Sequence, residues 1–177
     1  MTAQDALRNA TLEIEQYVAR GGWDGPIRVF ALVNAKRALR DNPELANELP
    51  ADVQITDIHD PDTLFSVEQE DLPQADSVNE LLGRITWPSG VDGAAISMER
   101  IVVPPSVEVS LPKDDNEAMK VLQTHPQRND VRMVVGVLRT GETWSAIRTK
   151  QYDDPAYVAS QENLVPGVAE ALKHTFE

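Results

Sequence analysis

The sharpest local cluster of chemistry-bearing side chains in the sequence is Asp57, His59, Asp60 and Asp62, set around Ile58 and Pro61. An imidazole beside several carboxylates can ligate a hard or borderline divalent cation. A His-Asp pair is also the core of one class of metal-dependent phosphohydrolases, but those enzymes need further His and Asp ligands on separate helices. The two remaining histidines, His125 and His174, lie outside any comparable cluster. The expected reading is therefore a solvated Asp60-Pro61-Asp62 turn, with a divalent-metal-dependent hydrolase at Asp57, His59, Asp60 and Asp62 as the alternative. Glu68, Glu70 and Asp71 form a second group. If Leu64 to Val67 make a short edge strand, Glu68 and Glu70 project from one face. Paired carboxylates do acid and base work only when burial or proximity drives their pKa values apart. No aromatic wall supports that here, so a charge-guarded strand edge is expected instead. No Gly-rich phosphate loop, serine elbow or dinucleotide fingerprint occurs, and Gly90 and Gly93 are too isolated to count. No catalytic residue, metal ligand set or cofactor is assigned from the sequence.

Both groups belong to a larger anomaly. Between residues 41 and 83 the chain carries twelve carboxylates and no Lys or Arg, although the whole sequence holds 16 basic side chains. Nearly all of the formal net charge of -13 therefore arises in this stretch. Charge of one sign gathered in one place steers encounter with a complementary partner and fixes register. The best functional expectation is a non-enzymatic protein-interaction or chaperone-like protein. Its acidic surface, formed by Asp57, His59, Asp60, Asp62, Glu68, Glu70 and Asp71 and anchored by Leu64 and Phe65, would dock a protein or peptide with a basic surface. The same charge, with a pI near 4.6, argues against nucleic acid and anionic membrane partners.

The elements that would position these groups can be read from punctuation and periodicity. A chain of 177 residues suits one domain, residues 1–177. Without cysteine it has no disulfide or thiolate chemistry and fits a reducing cytoplasm. Met1 to Ile14 lacks the basic start and apolar run of a signal peptide. Thr2 and Asp5 resemble a capping box, and Leu7, Ala10 and Ile14 recur at helical spacing, so a helix is predicted from Thr2 to Arg20. Ile27 to Val33 reads as a buried strand. Short helices follow at Ala35 to Arg40 and Pro43 to Leu49, then a long acidic connection from Pro50 to Asp76. Ser77 and Glu80 cap a further helix that must end before Pro88. Gly93 to Val103 is a strand and Asp114 to Thr124 a helix. Val131 to Leu138 and Thr143 to Thr149 form a hairpin around Gly141, and a last helix begins near Pro166. Trp87 and Trp144 are expected in the core, and Arg139 and Arg148 as exposed charges beside the hairpin. The predicted fold class is α+β: an antiparallel or mixed sheet with a β-hairpin in the C-terminal half, and N- and C-terminal amphipathic helices packed on one face.

Seven ordered blocks carry a family resemblance. They are Phe30-Ala31-Leu32-Val33, Val67-Glu68-Gln69-Glu70-Asp71-Leu72-Pro73, Thr86-Trp87-Pro88 with Val91-Asp92-Gly93, Glu99-Arg100-Ile101-Val102-Val103-Pro104-Pro105, Asp130-Val131-Arg132, Gly136-Val137-Leu138-Arg139 and Leu164-Val165-Pro166-Gly167. Together they resemble an uncharacterised family of actinobacterial proteins with no assigned activity. The resemblance implies a soluble, cytoplasmic, single-domain bacterial protein. The element order is also similar to that of small secretion-chaperone-like α+β proteins.

Overall fold

The structure, a computed structural model, describes residues 1–44 and 60–177. Its strands are β1 (Arg28–Asn34), β2 (Leu64–Glu68), β3 (Gly93–Val102), β4 (Asn129–Leu138), β5 (Thr143–Thr149) and β6 (Ala159–Gln161). Every neighbouring pair runs antiparallel, in the spatial order β2-β1-β3-β4-β5-β6. The helices are α1 (Ala3–Ala19), α2 (Ala35–Asp41), α3 (Val78–Gly83), α4 (Pro105–Val109), α5 (Asp115–Thr124) and α6 (Pro166–His174). The fold is α+β, as predicted. None of the described helices is long and apolar enough to cross a membrane.

Local chemistry accounts for the element ends. The capping box at α1 is complete: the Asp5 amide donates to Thr2 Oγ1 at 3.1 Å and the Thr2 amide donates to Asp5 Oδ2 at 3.0 Å. The β4–β5 hairpin turns through Gly141 at φ +114°, a conformation that strains any residue with a Cβ.

The two terminal helices do not share a face. Successive strand residues point to opposite sides, and the central strands are apolar in both directions. Phe30, Leu32, Ala95, Val134 and Leu138 meet Leu7, Ala10, Ile14 and Val18 of α1. Val29, Ala94, Ile96, Val135 and Val137 meet Val168, Ala169 and Leu172 of α6 and Leu81 and Leu82 of α3. The prediction of one helical face is corrected for that reason: with helices on one side only, the second apolar row would be left in water.

Other departures are local. The acidic connection contains β2, and the stretch from Pro104 to Lys113 contains α4. The strand β6 has no apolar alternation that could have marked it. Most of the helix expected from Pro43 to Leu49 lies outside the described residues. Trp87 and Trp144 are half-buried against the two cores, with Trp87 Nε1 donating to Thr175 Oγ1 and Trp144 Nε1 to Ser160 Oγ.

The approach of α1 to the sheet requires a glycine on β4. A Cβ at Gly136 would stand 2.6 Å from Thr11 Oγ1 and 3.0 Å from Leu7 Cδ1, and Thr11 is itself held by donation to the Leu7 carbonyl at 2.8 Å. Gly136→Ala is expected to cost about 1–3 kcal/mol through overpacking, and Gly136→Val more. Urea unfolding measures both; an alanine variant as stable as the parent would show that α1 is free to shift.

Candidate functional site

The edge strand β2 is the only described part of the acidic stretch that joins the sheet. Its register against β1 pairs Phe30 with Glu68, Leu32 with Ser66 and Asn34 with Leu64. Side chains of directly paired residues share a face, so Leu64, Ser66 and Glu68 point to the side that carries α1, and Phe65 and Val67 to the opposite side. A groove of about 740 Å³ runs between β2 and α1, lined by Ala10, Glu13 and Tyr17 on one wall and Leu64, Ser66 and Glu68 on the other.

Glu68 is committed within this groove. Arg28 Nε donates to Glu68 Oε2 and Arg28 Nη2 to Glu68 Oε1, both at 2.6 Å. The guanidinium also lies 4.9 Å from the Tyr17 ring centroid. The bidentate bond to Arg28 holds the Glu68 carboxyl below the usual glutamate value, against a smaller opposing effect of burial. Glu68 is therefore a fixed anion rather than a proton donor, and Glu70, which is exposed beyond the strand, forms no acid-base pair with it.

The remaining sequence candidates sort by place. Asp60, Pro61 and Asp62 form the expected turn: the Asp62 amide donates to Asp60 Oδ1 at 2.9 Å and the Thr63 amide to the Asp60 carbonyl at 3.3 Å. Asp60 Oδ2 also lies 3.8 Å from the Met1 ammonium. Asp57 and His59 lie outside the described residues, and among the described residues no group of three or more His, Asp or Glu side chains could hold a metal ion. Leu64 packs on the α1 core. Phe65 is half-buried and Val67 is 50% exposed on the other face. Asp71 takes a left-handed φ of 55°, which aspartate tolerates, and its side chain is exposed. Among the described residues Asp62, Glu70, Asp71 and Asp76 have no cationic partner. The acids thus flank β2 at both of its ends.

A second charged group, which sequence reading missed, lies beneath α1. Arg148, expected as an exposed charge, is 4% exposed. Its Nε and Nη2 donate to the two oxygens of Glu15, each at 2.8 Å, and Glu15 is 1% exposed. Arg148 Nη1 donates to Asp153 Oδ1 at 3.0 Å, and Trp23 Nε1 donates to Asp153 Oδ2 at 3.1 Å. Directly opposite Arg148 on β4 stands Arg132, 1% exposed, whose guanidinium lies 4.4 Å from the Trp23 ring centroid and donates to the Gly22 carbonyl. Glu99, opposite Arg132 on β3, accepts the Asp24 and Gly25 amides at 2.9 and 2.8 Å. Glu15 raises the Arg148 pKa above its already high ordinary value. The bond to the Trp23 indole, reinforced by Arg148, lowers that of Asp153. The group pins the connection between α1 and β1 over the sheet. The available signal was the pairing of Glu15, on the apolar stripe of α1, with charges inside two apolar strands.

Residues 7–177 match the family described as PPA1309-like protein, and the chain belongs to that family. No curated protein and no solved structure matches it.

Two outcomes follow from this geometry. Glu15→Ala strands the Arg148 guanidinium in the interior and is expected to cost about 3–5 kcal/mol, far more than Asp153→Asn at the half-exposed end of the same arginine; chemical unfolding of both variants compares them. For Glu68 the folded-state pKa lies below the unfolded one. Its contribution is complete above the ordinary glutamate range and is lost as pH falls through the lowered folded value. Melting temperatures followed below about pH 5 should fall less steeply for Glu68→Gln than for the parent, and parallel curves would contradict the assignment.

Proposed function

For this member of the family, we propose a non-enzymatic role in protein interaction: the acidic face around β2 docks a basic surface or segment of a partner protein in the cytoplasm. One observation carries the reading. An edge strand with a groove along one face is flanked at both ends by carboxylates that no basic side chain of the described fold neutralises. Asp62 stands before the strand, and Glu70 and Asp71 after it. Their summed field accelerates encounter with a cationic partner and repels anionic ones. Phe65 and Val67 add apolar area that desolvates on contact. The fixed state of Glu68 and the turn at Asp60 favour this role over acid-base or metal chemistry, because both side chains already serve the fold.

Exposed charges are screened within about 10 Å at 0.1 M salt, so binding should weaken steeply as salt rises. The test is affinity capture from a native extract at low salt, with the natural chain compared with a variant carrying Asp62→Asn, Glu70→Gln and Asp71→Asn. A defined partner held by the first, lost by the second and eluted by salt is the expected result. A partner retained equally by both and indifferent to salt overturns the reading, as does the absence of any captured protein.

A further inference from the structure

Resting on that interaction reading, we propose that the partner segment binds by strand addition: an extended, β-branched segment with Lys or Arg at both ends pairs with the outer edge of β2.

The direction of the β2 backbone follows from two bonds that frame it. The Gln69 amide donates to the Val29 carbonyl and the Ala35 amide to the Thr63 carbonyl, each at 2.8 Å. In an antiparallel pair, hydrogen-bonded residue pairs alternate with pairs that exchange no bonds. The register continues from 29 opposite 69 to 35 opposite 63, so Phe65 and Val67 are the residues that bond to β1. The amides and carbonyls of Leu64, Ser66 and Glu68 point the other way, and among the described residues no strand pairs with them.

The two edges of the sheet differ in how they are protected. At the far edge β6 is three residues long, too short to template another strand. At the near edge β2 is five residues long and carries no proline, no lysine and no unpaired charge within the strand, since Glu68 is turned to Arg28. Its guard consists of the acids beyond its ends. That arrangement selects the occupant. A second copy of this chain would bring carboxylates against carboxylates. A segment with cationic ends places opposite charges at Asp62 on one side and at Glu70 and Asp71 on the other. Between them, alternate side chains of the added strand extend the Phe65–Val67 face and lie over the groove beside Tyr17 and Leu64.

The probe is the peptide Lys-Lys-Val-Thr-Val-Thr-Val-Lys-Lys, labelled for fluorescence anisotropy and titrated with the full chain. Ser66→Pro removes an outward amide while leaving the bonds to β1 in place, which proline permits on an edge strand. It is expected to weaken binding at least about tenfold, equivalent to one or two lost backbone bonds, while Ser66→Ala stays within about twofold. Amide hydrogen exchange on the unaltered protein supplies a reading independent of the proline variant: the peptide should slow the Ser66 and Glu68 amides and leave Val67, already bonded to β1, unchanged. If the acid-to-amide variant loses the peptide but Ser66→Pro retains it and exchange at Ser66 and Glu68 is unaltered, strand addition is overturned and the acidic docking reading stands. If the natural chain does not bind the peptide at low salt, strand addition is overturned, and the capture experiment alone then decides the docking reading.

Discussion

The position of α1 against the sheet is the constraint from which the rest of the architecture follows. Two contacts set it. At Gly136 the helix comes too close for any side chain on β4, and one turn further along Glu15 makes a bidentate bond to Arg148 on β5. Burying two charges costs several kcal/mol per ion unless geometry and partners are nearly ideal, so this pair tolerates little displacement. A helix held in this way leaves one flank standing beside β2, and that flank is the wall of the groove. Without the clamp on β4 and β5, the far wall at β2 would have nothing to face.

The same clamp sets the path of the connection after α1, through Gly21, Gly22 and Gly25, over the sheet. Trp23 covers Arg132, Asp153 ties the indole to Arg148, and Glu99 gathers two loop amides. Each strand from β3 to β5 contributes one charged residue to a single row, Glu99, Arg132 and Arg148. Like charges directly opposite on neighbouring strands repel. Here the helix and the loops supply the anions that hold Arg148, while the Trp23 face and the Gly22 carbonyl receive Arg132. The polar row and the apolar rows above it serve one end, fixing a helix whose own propensity could not set its angle.

Acidity in this protein is local in sequence and only partly local in effect. Glu68 and Glu80 are drawn into pairs with Arg28 and Arg84, and Asp60 into a turn. Among the described residues Asp62, Glu70 and Asp71 stay without a cationic partner at the ends of the edge strand. Short length protects β6, whereas charge protects β2, and charge discriminates by sign where length does not. Anions at an edge repel a second copy of that edge and attract cations, so the same feature that protects β2 is the one on which the proposed docking rests.

Much of the fold was legible from residues alone because its signals are short-range. Thr2 and Asp5 marked the start of α1, Gly141 the hairpin, Pro88 the limit beyond α3, and the apolar runs of β1, β3 and β4 the sheet. The Asp60-Pro61-Asp62 turn was legible for the same reason, since aspartate hydrogen-bonds its own backbone. The acid surplus was equally plain, being a matter of composition. What sequence could not decide was which side each apolar row faced: strands apolar on both faces demand cover on both, but nothing local says that α1 takes one side and α6 the other. Nor could it show that Glu68 belongs to Arg28 across 40 positions, or that Glu15 and Arg148 meet across 133. Charge, turns and caps are properties of neighbours along the chain, and the sequence by itself determined them. The partners of charged groups and the outward face of β2 depend on strand order and register, which exist only after the sheet has assembled, and so the tertiary structure alone decided them.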